Sequence, residues 1–181
     1  MTVPVDGLYQ IISGGPFSTG GKACIRPGPD GVIVIVGATP YNAMMSWRGQ
    51  PAPGGAGITL TSDTGLVLCY TPNAGANVQL RPATMIGDPS AAWIPTDLGG
   101  PYCMVAPLLA QSLALTIEDG GPPWQVNQII LADETQSGQS VAQAWMFIAL
   151  GDEAEKTLED IPAYEPPPAC EDPAAGADSP A

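Results

Sequence analysis

The side chains able to do chemistry are few and unevenly placed along the 181 residues. Histidine is absent, which removes the usual general base and the commonest metal ligand. No Ser/His/Asp or Cys/His site can be assembled. Two adjacent carboxylate pairs remain, Glu118-Asp119 and Asp133-Glu134. Neighbours on an extended chain point to opposite faces, and on a turn they point to water, so neither pair is expected to work as acid and base. Gly14-Gly15, Gly20-Gly21 and Gly54-Gly55 lack the spacing of a phosphate-cradling loop and read as loop punctuation. Cys24, Cys69, Cys103 and Cys170 occur singly, without the close pairs of a zinc or redox motif. The expectation is a protein that is not an enzyme and carries no cofactor or metal. One segment has the residue types of a binding surface: Glu118-Asp119-Gly120-Gly121-Pro122-Pro123-Trp124-Gln125-Val126-Asn127, with Thr116 just before it. A sugar is held by stacking its apolar face on an aromatic ring while carboxylates, amides or hydroxyls take its hydroxyls. Trp124 is read either as such a platform or as a lid packed over the end of the fold.

The elements that must position this segment follow from a repeat. Trp47, Trp93 and Trp145 stand at intervals of 46 and 52 residues, a period at which a unit unable to bury its own apolar face packs against copies of itself. Each copy opens on a glycine-led stretch: Gly7-Leu8-Tyr9-Gln10-Ile11, Gly57-Ile58-Thr59-Leu60-Thr61, and Gly100 to Val105. Second runs follow at 22–25, 66–70 and 113–117, third runs at 32–36, 78–81 and 128–131, and the fourth carry the tryptophans. Short apolar runs bounded by Gly, Pro, Asn and Asp predict an all-β barrel or sandwich. With 22 Gly and 21 Pro in the chain, long helices would be interrupted almost everywhere. Four strands, three times over, around a pseudo-threefold axis is a β-trefoil, with one tryptophan of each copy in the shared core. Cys24 and Cys69 fall on matching strands and read as small apolar core residues.

Composition divides the chain. Residues 1–150 are read as the trefoil domain, with copies at about 5–50, 55–98 and 99–150. Residues 151–181 hold nine acidic groups against Lys156, and include Pro166-Pro167-Pro168. They read as a disordered acidic tail that serves solubility, or else docking. The formal net charge is −13, and the domain offers only Lys22, Arg26, Arg48 and Arg81 to neutralise phosphates. Nucleic acid and anionic membranes are therefore not expected partners. No apolar stretch reaches about 18 residues, so no membrane insertion is expected. Met1 to Asp6 lacks the regions of a secretory signal. The expectation is a cytoplasmic chain, or a secreted one whose signal has been removed.

Gln143-Ala144-Trp145 is a full QxW motif, and Ala91-Ala92-Trp93 and Met45-Ser46-Trp47 keep its tryptophan. With the strand segments around them, these residues resemble the ricin-B-like (QxW) β-trefoil lectins, especially the short single-domain fungal type. The opening Val5-Asp6-Gly7-Leu8-Tyr9-Gln10-Ile11 is similar to both fungal trefoil lectins and mushroom trefoil protease inhibitors. The resemblance covers residues 5–150 and implies a glycan or glycoprotein partner. It also implies an aspartate at the end of a copy's second strand, where this chain has about Ile25, Cys69 and Thr116. Copies one and two are read as structural. In copy three the resemblance makes Trp124 the platform, Asn127 or Gln128 the amide, and Asp119 a substitute for the missing acid. At most one sugar site is expected, formed by Thr116, Asp119, Trp124, Asn127 and Gln128. The rival reading is a protease inhibitor acting through Ser13 to Gly21 or through Arg48, Gly49 and Gln50, with Arg48 entering a trypsin-like pocket. A third reading is a trefoil interaction module without sugar binding.

Overall fold

The computed structural model describes residues 7–18, 21–38, 46–118, 128–133, 140–150 and 162–165. Among them run twelve strands: β1 (Gly7–Pro16), β2 (Lys22–Pro27), β3 (Ile33–Gly37), β4 (Trp47–Pro51), β5 (Ile58–Ser62), β6 (Val67–Cys69), β7 (Gln79–Arg81), β8 (Trp93–Gly99), β9 (Tyr102–Pro107), β10 (Leu113–Ile117), β11 (Ile129–Asp133) and β12 (Trp145–Ala149). Each of the twelve predicted runs overlaps one of them. The helices among the described residues are short 3-10 turns.

Six strands close on themselves. β1 pairs β4, β4 pairs β5, β5 pairs β8, β8 pairs β9, β9 pairs β12 and β12 pairs β1, all antiparallel. Closure leaves this ring without a free edge to template aggregation. The other six strands form three hairpins, β2–β3, β6–β7 and β10–β11. Single bridges tie each hairpin to the other two: Val32 with Gln79, Asn77 with Ile130, and Val34 with Gln128. A six-stranded barrel capped by three hairpins, one from each copy, is the β-trefoil.

The tryptophans explain the repeat. All three are fully buried in one core, and each indole N–H donates to a carbonyl of its own copy's second strand. Trp47 bonds Ile25 (3.2 Å), Trp93 bonds Leu68 (3.0 Å) and Trp145 bonds Leu115 (2.8 Å). A buried indole N–H needs such a partner, so the residue type and the hairpin position are fixed together. β3 shows why its run is continuously apolar: Ile33 and Ile35 enter the main core, while Val34 and Val36 join a second cluster. Gly57 opens copy two with φ of 87°, and a Cβ there would strike the Trp93 carbonyl.

Two sequence readings need correction. The indole bonds and hairpin registers align Ile25 with Leu68 and Leu115, so the residues following them correspond: Arg26, Cys69 and Thr116. Copy one thus has Arg26, not Ile25, at the position of the implied aspartate. Cys24 and Cys69 do lie on matching strands, β2 and β6, and both are buried in apolar clusters, Cys24 in the second and Cys69 in a small third one. Secondly, residues 162–165, which the sequence assigns to the tail, pack on the barrel, with Tyr164 buried against Tyr102.

Candidate functional site

The hairpin of copy three is paired along its whole described length. β10 and β11 pair in register from Leu113 with Asp133 to Ile117 with Ile129. Beyond the last pair, the Glu118 N–H donates to the Gln128 carbonyl (2.9 Å). The hairpin is also fastened from the side. Ser140 caps a 3-10 turn by accepting from the Ala142 N–H (3.2 Å), and the turn delivers Gln143 into the interior at 2% exposure. The Gln143 side-chain NH2 donates to the Thr116 hydroxyl (3.1 Å) and to the Asp133 carbonyl (2.9 Å). One amide thereby grips both strands.

This geometry changes the part played by Thr116. Its hydroxyl donates to the Ala114 carbonyl (2.8 Å) and accepts from Gln143, and the residue is buried. Its hydroxyl is thereby engaged within the hairpin. Gln128 lies on the same hairpin and is exposed, its carbonyl accepting from the Glu118 N–H. Asp119, Trp124 and Asn127 lie outside the described residues.

Arg48, Gly49 and Gln50 are not a loop. They lie in β4, with Arg48 opposite Leu8 on one side and Thr61 on the other, and Gly49 between Gly7 and Leu60. Arg48 is exposed, but its backbone is held in the barrel on both sides. An inhibitory loop must offer a free extended backbone to a protease cleft, which a strand paired on both edges does not. Ser13 is likewise within β1.

Copy two carries a groove that the sequence reading passed over. It has a volume of about 430 Å³ and is lined by Thr71, Asn77, Gln79, Arg81, Thr84 and Ser90, among others. The Arg81 guanidinium donates to the Gln79 side-chain oxygen (2.8 Å). Tyr70 also lines the groove, but it is buried. Its ring packs edge-on against Trp93 at 4.8 Å, while its hydroxyl donates to the Pro89 carbonyl (2.8 Å) and accepts from the Leu109 N–H (3.0 Å). The amides at Asn77 and Gln79 were visible in the sequence; that they face one depression depends on the hairpin closure. In copy one, Arg26 keeps its Nε buried without a hydrogen-bond partner.

The three described thiols are inert. Burial pushes Cys24 up to about 12, against a smaller opposing effect of Arg26, and pushes Cys103 to about 12 and Cys69 to about 11. The thiolate is the nucleophile, and none forms near neutral pH. Among the described residues no group of three His, Cys, Asp or Glu side chains could hold a metal ion, and no helix is long and apolar enough to cross a membrane.

No family model and no curated protein sequence matches the chain. Its fold does match solved structures. The designed threefold-symmetric protein ThreeFoil superposes with a TM-score of 0.66 at 18% identity, over 80% of this chain and 100% of that one. The Polyporus squamosus lectin, bound to a Neu5Acα2-6Galβ1-4GlcNAc epitope, gives 0.65 at 14% identity over 82% of this chain and 51% of its own. This chain thus spans about half of that lectin. The Macrolepiota procera ricin B-like lectin, in complex with lactose, gives 0.62 at 14% identity over 81% and 98%. At these identities the likeness is one of fold.

Proposed function

We propose that this protein is a lectin-like carbohydrate-binding protein with a single sugar site on the copy-three hairpin. The observation that carries this reading is the Gln143 clasp on Thr116 and Asp133, together with the Glu118–Gln128 bond that closes the base of the following loop. A loop held rigidly at both ends presents its side chains at low ordering cost. The segment so held contains Asp119, Trp124 and Asn127, a carboxylate, a broad ring and an amide, next to the exposed Gln128. Trp124 supplies the stacking surface, and Asp119 with Asn127 or Gln128 takes the sugar hydroxyls. That two structures of the same fold are lectins holding galactose-containing sugars supports the choice of ligand class.

A glycan array run on the full chain tests the reading, followed by titration of any hit. Trp124→Ala is expected to lower affinity at least tenfold, about 1.4 kcal/mol. An unchanged affinity would show that the site lies elsewhere, and an array without hits would remove sugar binding altogether. A protease panel run beside it is expected to show no inhibition through Arg48, because its strand is paired on both edges.

A further inference from the structure

Residues 162–165 behave as a ligand of the barrel wall. Pro162-Ala163-Tyr164-Glu165 runs past the start of β12 and bonds the two strands that flank it. The Tyr164 N–H donates to the Gly14 carbonyl on β1 (3.1 Å), and the Tyr102 hydroxyl on β9 donates to the Pro162 carbonyl. The Tyr164 ring meets that of Tyr102 edge-on, centroids 5.4 Å apart and planes at 68°. It is 8% exposed and belongs to the second apolar cluster with Ile12, Ala144 and Met146.

The floor of the seat is fitted to this chain segment. A Cβ on Gly14 would lie 2.7 Å from the Tyr164 Cβ and 3.0 Å from that of Ala144, so any larger residue would lift the strap. The Gly14 N–H also donates to the Ala144 carbonyl (2.8 Å), which places the strap against the middle residue of Gln143-Ala144-Trp145. Recognition through main-chain hydrogen bonds plus one side-chain pocket is how extended peptides are bound. An open surface cleft of about 460 Å³ lies between the strap and the turn from Leu98 to Tyr102.

We propose that the wall between Gly14 and Tyr102 is a peptide-binding site, selective for a tyrosine in an extended segment two residues after a proline, and that the chain's own residues 162–165 occupy it in cis. A ligand tethered to its own site competes at an effective concentration on the order of millimolar. A synthetic peptide of residues 158–168 is therefore expected to bind full-length Tyr164→Ala at least tenfold more tightly than the wild type. The same peptide with alanine in place of Tyr164 is expected to bind neither. Equal binding to both proteins, or to neither, overturns the proposal. Hydrogen exchange on the unmutated chain gives a second reading that needs no variant: the Tyr164 amide is protected if the seat is filled, and an unprotected amide overturns the proposal. Sedimentation decides between cis and trans. A wild-type monomer at all concentrations supports occupation in cis, while a concentration-dependent dimer that Tyr164→Ala abolishes overturns it in favour of a second copy.

Discussion

Where the second strand of a copy meets the turn that leads into its tryptophan strand, copy three sets Gln143 against Thr116 and the Asp133 carbonyl. Copy two sets Ala91 there, in an apolar cluster with Val67 and Cys69, with Met85 and Ile86 against it. The backbone frame around the two junctions is the same, down to the indole bonds of Trp93 and Trp145. Copy two then ties its hairpin differently, through the Tyr70 hydroxyl between Pro89 and Leu109. The difference teaches that pseudo-symmetry is enforced where a buried tryptophan must find a carbonyl, and relaxed where either a polar clasp or apolar filling satisfies the same space. In copy three the relaxed position ties β10 to β11; in copy two it closes a core and leaves an open polar groove outside.

Exchanging the two solutions is the sharpest way to break this comparison. Ala91→Gln places a bulky amide in a fully buried apolar site, where overpacking and an unsatisfied polar group act together. The expected loss is about 4 kcal/mol in urea unfolding; a loss below about 1 kcal/mol would mean that copy two can form the clasp after all. Gln143→Leu, the reverse change, leaves the Asp133 carbonyl without this donor and costs about 2 kcal/mol. It should also weaken any glycan binding, because the loop base loosens. Tyr70→Phe removes two hydrogen bonds in copy two at about 1–2 kcal/mol and, under the proposed copy-three site, should leave glycan binding unchanged, so the pair of variants tests that proposal. A parallel loss of binding in both would erase the distinction between the copies.

The smallest expected effect concerns acid. Hydrogen bonds from Ser90, side chain first and then the backbone N–H at 2.8 Å, hold the exposed Asp88 carboxyl below its ordinary 3.8. A group whose folded value is depressed adds stability that is present above its unfolded value and is lost as pH falls through the folded one. Asp88→Asn should thus leave the urea midpoint at pH 7 unchanged, since asparagine caps equally well, and flatten the loss of stability below about pH 4. A variant with an unaltered acid limb would show that this cap carries none of the acid sensitivity.

Much of the fold is legible in the residues, because its signals are local. Short apolar runs such as Ile33 to Val36, cut by Gly and Pro, could only be strands, and the tryptophan intervals set three copies of four. The site is less legible. Thr116 looks like a surface hydroxyl until Gln143, 27 residues away, is found bonded to it. Arg48-Gly49-Gln50-Pro51 looks like a loop by composition, yet β5 pairs all four residues into β4 and β1 pairs Arg48 and Gly49 from the other side. Tyr164 sits in an acidic, proline-rich stretch that composition assigns to solvent, and only the facing Gly14 and Tyr102 reveal its seat.

By itself, then, the sequence determined the strand number, the threefold repeat and the three core anchors, all of which rest on side-chain periodicity and on a residue type that demands burial. Tertiary structure alone decided which hydroxyls are spent inside, which extended segments gain partners on both edges, and which stretch of the acidic tail comes back to the barrel. Those outcomes depend on hydrogen bonds between groups far apart in the chain, whose partners are chosen only when the ring of six strands closes.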